Sequence, residues 1–444
     1  MQSSGTGLAN VISAQELKAA VEEHAPEYRD RVYPPLRTLS LFIGQALSAE
    51  GACQDAVARQ LSERTSAGAR SCSLNTGPYC KARQRLPLGL VVGLQRAIAQ
   101  RLEQRSPRSW HWQGRAVKLL DGTTVSMPDT ASNQGAFPQS GEQKPGVGFP
   151  QARVVGLLSL GSGAALDWAM DACKGKGTGE QALFRELFDS LEAGDVVLAD
   201  CLYCTYWIFA MLKARGVDLL TRQHARRGCD FRGGKRLGRG DHLVQWQRPR
   251  RPDWMDEQTY RGIPETLCVR EVKVNGWILS TTLLDARSTP GLELDRLYRS
   301  RWNIEVDFRS IKAVMGMDIL RCKSPARVRK EVAVHLLAYT RVRAVMAHAA
   351  STASVLARAL SFKGSMQLLN AYHQQLRHNV GARTAVMISH VVGAIRTLRL
   401  PWRPGRIEPR AIKRRPKPHR LLLVPRTLAR LQILVHHRRL KVVP

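Results

Sequence analysis

Polar residues with helical spacing stand in the segment YRSRWNIEVDFRSIK, residues 298–312, which we call the signature segment. At about 100° per residue, four of its side chains fall within about 60° of one another on a helix: those of Tyr298, Arg301, Glu305 and Lys312. Asp307 falls on the opposite side, so Glu305 is the candidate carboxylate. One acid flanked by cations suits a site that holds a metal ion beside phosphate oxygens. The alternative for this segment alone is a solvated face with ordinary surface ion pairs.

Two short apolar runs each end in an aspartate. AVKLLDGTT leads to Asp121, and DVVLADCLY leads to Asp200. Both runs predict buried strands with a loop at the carboxyl end. Ligands of α/β sheets bind at those ends, which makes both aspartates candidates for a site. A role in a loop or a cap is the alternative for either aspartate alone.

The spacing Tyr-x2-Arg-x3-Glu-x6-Lys in the signature segment resembles that of one branch of bacterial insertion-sequence transposases with an Asp-Asp-Glu (DDE) triad. The resemblance makes Asp121, Asp200 and Glu305 the catalytic carboxylates. It implies an α/β fold with a ribonuclease-H-like core, in which these three residues hold two Mg²⁺ or Mn²⁺ ions. The loop and surface alternatives would have to hold at all three places at once, which favours the catalytic interpretation.

The resemblance also implies how the chain handles DNA. Water frees a 3′-hydroxyl at the end of the element, and that hydroxyl attacks target DNA in the same site. Tyr298, Arg301 and Lys312 are expected to bind phosphate near the cut. Coordinated cutting at the two inverted-repeat ends implies a homodimer.

A tryptophan is expected to stack on a flipped base in relatives that form a DNA hairpin. Trp277 has the corresponding place, at the start of the last strand before the signature segment. Packing at a strand end is the alternative for this side chain. Trp246 and Trp254 are weaker candidates for the stacking role.

The charge of the chain indicates a polyanionic partner. Lys and Arg number 68 against 36 Asp and Glu, which gives a net charge of +32 and a pI near 10.6. Nucleic acid is the first expectation. A ribosome-associated or membrane-surface protein is the alternative, but 444 residues is long for the former. No run approaches the ~20 apolar residues of a membrane span.

The cysteines and the N-terminus predict the compartment. Nine cysteines occur without a disulfide framework, and the first residues show no export signal. A bacterial cytoplasmic protein associated with DNA is therefore expected. Cys201 and Cys204 have CxxC spacing, but no second pair accompanies them, so no zinc site is expected there.

Composition and periodicity divide the chain into regions. Helical periodicity dominates the first 111 residues, where Lys81, Arg83 and Arg85 could contact a phosphate backbone. Gly- and Arg-rich sequence and then strand-like sequence follow Arg226, and the end of the chain is basic and proline-interrupted. The predicted regions are a helical DNA-binding domain (1–111), the first part of the core (112–225), a β-rich insertion subdomain (226–275), the second part of the core (276–345), and a helical region with a basic arm (346–444).

Three functions fit these features. The first is an active DNA transposase. The second is a transposase-derived DNA-binding protein or inhibitor that does not cut, and the third is a ribonuclease-H-like nuclease that cuts without joining. The retained carboxylates argue against the second, and the signature segment and the long insertion favour transposase over nuclease.

Overall fold

A computed structural model describes residues 12–25, 27–28, 31–378, 382–401 and 422–440. Most of the basic stretch predicted to be a DNA-contacting arm, residues 402–421, lies outside the described residues. None of the helices in the described ranges has the length and apolar character needed to cross a membrane.

The described part of the chain forms a mixed α/β fold around one large sheet, as the α/β prediction requires. The sheet has nine strands in the order β3-β2-β1-β4-β5-β9-β8-β7-β6. The strands are β1 (Val117–Ser126), β2 (Gln151–Ser159), β3 (Ala165–Ala172), β4 (Val196–Ala199), β5 (Asp218–Arg222), β6 (Lys235–Gly238), β7 (Asp241–Gln247), β8 (Thr266–Val274) and β9 (Trp277–Thr281).

Helices cover both faces of this sheet. They are α1 (Ala14–His24), α2 (Pro35–Leu47), α3 (Cys53–Ser66), α4 (Gly77–Arg85), α5 (Leu88–Gln104), α6 (Ala131–Ala136), α7 (Glu180–Arg185), α8 (Tyr206–Ala214), α9 (Glu257–Gly262), α10 (Gly291–Arg299), α11 (Asn303–Arg309), α12 (Pro325–Ser351), α13 (Phe362–His378), α14 (Ala382–Thr397) and α15 (Arg426–Leu440).

The central strands β1, β4 and β5 run parallel to one another, and the remaining neighbours are antiparallel. All four residues of β4 are buried, because central parallel strands are covered on both faces. The turn at residues 161–163 joins β2 to β3 in the predicted hairpin.

Asp121 lies within β1, which corrects the prediction that this strand ends at the aspartate. β1 pairs with β4 only as far as Leu119, but it pairs with β2 through Ser126. The antiparallel partner therefore keeps β1 extended beyond the end of β4. Asp121 consequently lies on a rigid strand and not on a loop.

The strands of residues 226–275 do not form a sheet of their own. β9 pairs with β5 on one side and with β8 on the other, and β7 and β6 follow β8 outward. The region predicted as an insertion subdomain therefore extends the main sheet, because β9 connects the two halves by backbone hydrogen bonds.

The N-terminal helices share the core of the sheet. Gln95 of α5 donates its side-chain amide to the backbone carbonyls of Ala165 and Leu166 in β3. Lys118 of β1 donates to Glu103 of α5 at 2.9 Å, and both side chains are largely buried. The 27-residue helix α12 packs along α5 and α2 and against β3 and α14.

The structure corrects the interpretation of Arg83. Its side chain is buried, with 8% exposed, and Nη1 donates to Oε1 of Gln45 at 2.8 Å. The guanidinium also lies over the ring of Phe42, 4.4 Å from the centroid. These protein groups occupy the guanidinium, so it is not placed to bind a phosphate backbone. Lys81 and Arg85 on the same helix are exposed.

Candidate active site

The signature segment is helical throughout. It is not the single regular α-helix that a uniform rotation of about 100° per residue predicts. α10 ends at Arg299, a 3-10 turn covers Ser300–Trp302, α11 follows, and a π turn covers Ser310–Val314. Two hydroxyls accompany these changes, since Ser300 donates to the carbonyl of Leu297 and Ser310 donates to that of Val306. Such bonds compete with the regular helical ladder and locally alter the turn.

The sheet fixes where the signature segment lies. Asp121 pairs with Gly156 in the β1–β2 ladder. A Cβ at Gly156 would lie 3.3 Å from Cζ of Phe308, so the ring of Phe308 packs directly on this strand position. The backbone N–H of Leu320 donates to the carbonyl of Ser126, which ties the end of β1 to the chain beyond the segment. α11 is therefore held over β1 at the level of Asp121.

Arg301 contacts two of the three predicted catalytic carboxylates. Its Nη1 donates to Oδ2 of Asp121 at 3.2 Å, and its Nη2 lies 3.5 Å from Oε1 of Glu305. The Asp121 side chain is 20% exposed and that of Glu305 is 40% exposed. One guanidinium thus joins a strand carboxylate to a helix carboxylate 184 positions further along the chain (305 minus 121).

Asp200 follows β4 directly and caps the short 3-10 turn Cys201–Tyr203, where its Oδ1 accepts the N–H of Leu202 at 2.9 Å. In the parallel pairing, Leu119 of β1 is opposite Leu198 of β4. Asp121 comes two residues after Leu119, and Asp200 comes two residues after Leu198. The two aspartates are therefore neighbours at the carboxyl end of β4. The register of the sheet therefore brings the two aspartates together.

Burial raises the pKa of Asp121 to about 6, from an ordinary value of 3.8. The N–H of Gly122 and the charge of Arg301 oppose this rise, whereas the carboxylates of Asp200 and Glu180 add to it. Burial lowers the pKa of Arg301, but Tyr298 and the carboxylates of the predicted triad outweigh burial and hold that pKa above its usual value. The site therefore has more negative charge than Arg301 alone balances.

Glu180, at the start of α7, is a fourth carboxylate that the sequence analysis did not assign to the site. A Cβ at Gly122 would lie 2.4 Å from its carboxyl carbon, so the carboxylate rests on the bare backbone next to Asp121. Glu180 lies 3.5 Å from Nε of Arg153 and accepts from the Tyr203 hydroxyl at 3.3 Å. Burial raises its pKa. The glycine directly after Asp121 is the one signal in the sequence that could have indicated a close neighbour there.

Lys312 and Tyr298 both lie near the contacts of Arg301. Nζ of Lys312 donates to Oγ1 of Thr123 in β1 at 3.0 Å, two residues beyond Asp121. Tyr298 is buried, and burial raises its pKa. The centroid of its ring lies 6.4 Å from that of Trp277 in an edge-on arrangement.

Trp277 is half-buried at the start of β9. Its Nε1 donates to Oδ1 of Asp295 at 3.0 Å, and the guanidinium groups of Arg222 and Arg299 lie 5.7 and 5.2 Å from the ring centroid. Of the weaker candidates, Trp246 is buried and Trp254 is 44% exposed. Trp302, which the sequence analysis did not single out, is 52% exposed within the signature segment.

Asp307 lies away from the site. Its side chain is fully buried and forms ion pairs with Arg343 at 2.6 Å and Arg358 at 2.8 Å. It also accepts from the Tyr339 hydroxyl at 2.9 Å. These partners use both carboxylate oxygens, so Asp307 has a structural environment.

The grouped carboxylates suit divalent cations. Carboxylate oxygens are the hard ligands that Mg²⁺ and Mn²⁺ prefer. Burial raises the pKa of Asp121, and the nearby carboxylates of Asp200 and Glu180 add to the rise, so a cation bound there would favour the ionised form of Asp121. Asp121, Asp200 and Glu305 do not all lie within 4.8 Å of one another, the closeness that donors around a single ion have.

Carboxylates at one end of a sheet, two of them joined by Arg301 and with Lys312 nearby, in a strongly basic chain, are typical of an enzyme of nucleic-acid chemistry. The family model described as "Transposase DDE domain" matches residues 112–341, and the chain belongs to this family. It is 29% identical over 344 residues to "Transposase InsG for insertion sequence element IS4" of Escherichia coli (strain K12), with 76% of each chain covered. The predictions of a DDE transposase and of an insertion-sequence relative are confirmed.

The cryo-EM structure of the piggyBac transposase synaptic complex with hairpin DNA is similar at a TM-score of 0.43 and 9% identity, covering 90% of this chain and 85% of that one. The family and the relative establish that the chain is a DNA transposase, a metal-dependent enzyme that cleaves DNA and transfers strands.

Proposed function

We propose that Asp121, Asp200 and Glu305 are the metal-binding carboxylates of a ribonuclease-H-like core, and that they hold two Mg²⁺ or Mn²⁺ ions. The observation that carries the proposal is the double contact of Arg301 with Asp121 and Glu305. The β1–β4 register supports it, because that register makes Asp200 the neighbour of Asp121.

Bound divalent ions supply activation of the attacking hydroxyl and stabilisation of the leaving oxygen. The side chains of the protein position the DNA strand around them. Arg301 presents a planar fork that can contact two oxygens, and Lys312 presents a point charge beside β1. Their roles are therefore not interchangeable. Because Arg301 already contacts two carboxylates, it also fixes the distance between the strand and the helix that carry them.

Tyr298, Trp277 and the cations of α4 are proposed to bind DNA outside the reacting phosphate. Trp277 is half-buried, and the guanidinium groups of Arg222 and Arg299 lie over its ring, where they would bind the phosphate of a nucleotide whose base packs against the ring. Lys81 and Arg85 remain candidates for phosphate contacts because both are exposed. They border a cavity of about 1150 Å³ between α4 and the chain before α2.

The DNA partners are proposed to be the inverted-repeat ends of the element and the target. Cutting two ends in concert needs two active sites, so we propose a homodimer in the DNA complex, acting in the bacterial cytoplasm. The regions 1–111, 112–225, 226–275, 276–345 and 346–444 are proposed as functional units. Of these, residues 226–275 extend the sheet of the proposed core.

A strand-transfer assay with a linear donor carrying the element ends, target DNA and Mg²⁺ tests the proposal. Asp121→Ala, Asp200→Ala and Glu305→Ala should each abolish cleavage while end binding in a gel-shift assay stays nearly intact. Asp189→Ala is the matched control, because the Asp189 side chain is 97% exposed and its ion-pair partner is Arg215, which is not a residue of the site.

Lost binding in the three variants, with binding kept in the control, would assign them a structural role and contradict the proposal. Wild-type protein that binds without cutting would indicate a derived DNA-binding protein or inhibitor. Cutting without joining would indicate a nuclease.

A further inference from the structure

A cysteine, a histidine and a glutamate converge near the outer edge of the sheet, apart from the carboxylate site. His242 of β7 stands directly opposite Glu271 of β8 in the ladder. Both are buried, with 1% and 3% exposed. Cys229, which is partly buried, reaches them from the chain segment before β6. One potential ligand atom of each residue lies within 4.8 Å of the other two.

The three separations resemble those around one small cation. Sγ of Cys229 lies 2.9 Å from Oε2 of Glu271 and 3.8 Å from Nε2 of His242, and Nε2 lies 3.2 Å from Oε2. Tetrahedral Zn²⁺ with bonds of about 2.0–2.3 Å separates its ligands by roughly 3.3–3.8 Å. A cation could therefore take its place among these atoms with shifts of a few tenths of an ångström.

The hydrogen bonds of His242 indicate which ring nitrogen carries the hydrogen. Nδ1 lies 2.8 Å from the carbonyl oxygen of Gly233, and since a carbonyl only accepts, Nδ1 must carry the hydrogen. In the neutral ring Nε2 is then a bare acceptor, yet it faces a carboxylate oxygen of Glu271. An Nδ1–H bonded to a backbone carbonyl is the arrangement that orients metal-binding histidines.

The second oxygen of Glu271 is already used, because Oε1 accepts from Nε1 of Trp246 at 3.0 Å. That bond fixes the carboxylate with Oε2 turned toward His242 and Cys229. In the metal-free protein the thiol of Cys229 donates to Oε2 of Glu271, and Nε2 of His242 faces the same oxygen. A cation would replace the thiol hydrogen and lie among the three lone pairs. If a cation binds there, the sulfur ligand favours zinc, because thiolate and imidazole together select zinc over magnesium.

We propose that Cys229, His242 and Glu271 bind one Zn²⁺ ion, with the fourth position open toward solvent beside Cys229. Binding releases the thiol proton of Cys229 to the buffer, and the thiolate, the neutral imidazole and the carboxylate then coordinate the ion. The role is structural. The ion joins the basic segment that carries Arg226, Arg227 and Arg232 to strands β7 and β8, and so fixes these cations near the sheet.

Zinc content and stability of the full-length protein test this site. The protein is freed of metal with a chelator, loaded with ZnCl₂, dialysed, and analysed for zinc per chain and for the midpoint of thermal unfolding. The same protein loaded with Co²⁺ gives a thiolate-to-metal absorption band that reports Cys229 directly. Asp121→Asn is included, because a loss of zinc in that variant would place the ion at the carboxylate site.

We expect one zinc per chain in the wild type and in Asp121→Asn, and at least a tenfold lower content in Cys229→Ser and His242→Ala. Cys268→Ser is the matched control, since this partly buried cysteine lies on β8 three residues before Glu271 but outside the cluster. It should keep the zinc and the cobalt band. Folding of Cys229→Ser is checked by circular dichroism. This variant decides the test, because Cys229 is only partly buried and its substitution disturbs the fold less than that of the buried His242.

Zinc retained by folded Cys229→Ser would overturn the proposal. So would a wild type that binds no zinc and unfolds at the same temperature with or without chelator, which would leave the hydrogen bond from the Cys229 thiol to Glu271 as the contact that holds the cluster. Neither result bears on the catalytic carboxylates, because zinc content is measured without DNA and without cleavage.

Discussion

Replacing Asp121 with asparagine should change the free energy of unfolding of the metal-free protein in a pH-dependent way. Relative to the wild type, the variant should be more stable at neutral pH than at acid pH. In the folded chain the pKa of Asp121 is raised to about 6 by burial, with Asp200 and Glu180 adding to the rise. An acid whose pKa is higher in the folded state than in the unfolded state holds its proton more tightly when folded. Ionising it therefore reduces stability: the loss begins near the unfolded pKa of 3.8, grows as the pH rises toward 6, and is constant above about pH 7.

The magnitude follows from the size of the shift. The pKa moves by about two units from 3.8, and each unit corresponds to about 1.36 kcal/mol, so ionisation of Asp121 removes at most ~3 kcal/mol at pH 7.5. Asparagine removes the ionisation but also changes hydrogen bonds, including the one from Arg301. Those losses are present at every pH, so the pH-dependent part of the difference isolates the charge.

Urea unfolding followed by circular dichroism between pH 4.5 and 8, with EDTA present, measures this effect. Over this range the free energy of unfolding of Asp121→Asn minus that of the wild type should rise with pH by up to ~2 kcal/mol, mostly between pH 4.5 and 6. Glu180→Gln should reduce the rise, since Glu180 contributes to the shift, whereas Asp189→Asn should show none. Adding Mg²⁺ at pH 7.5 should stabilise the wild type more than Asp121→Asn. A difference that is constant with pH, or that falls as pH rises, would refute the reasoning.

Two further substitutions test the cations. Lys312→Ala should weaken binding to element ends and reduce the slope of log affinity against log salt by about one, the value for one phosphate contact, and an unchanged slope would mean that Lys312 does not contact phosphate. Arg343→Ala should lower the free energy of unfolding by ~3–5 kcal/mol, because it leaves the buried Asp307 with one guanidinium fewer. Arg309→Ala, an exposed arginine two residues after Asp307, is the control, and equal midpoints in the two variants would contradict the importance of the buried pair.

The local features of the proposed site could be predicted from the sequence. The apolar runs before Asp121 and Asp200 indicated β1 and β4, and the four-residue step from Arg301 to Glu305 placed two interacting side chains on one helical face. The parallel pairing of the two runs was not directly readable, but it follows once both are strands of one sheet. These signals are local, so periodicity and composition reveal them.

The features that periodicity could not predict depend on contacts between distant segments. Glu180 reaches Asp121 only because β1 and α7 are folded together, and the burial of Arg83 depends on Gln45 of α2. The register that sets His242 opposite Glu271 depends on β7 and β8, whose pairing the alternating pattern did not specify. The π turn around Lys312 likewise departs from the uniform 100° rotation of the helical wheel.

The long helix α12 has a practical consequence for anyone who wishes to study the catalytic region alone. The family match ends at residue 341, in the middle of this helix, and begins at residue 112, after the helices that cover it. A fragment trimmed to those limits would cut a rod of about 40 Å in two and strip the covering α5 and α2 from its apolar side. Expression of residues 112–341 alone should therefore yield aggregates, and boundaries for soluble production have to enclose the first helices and all of α12.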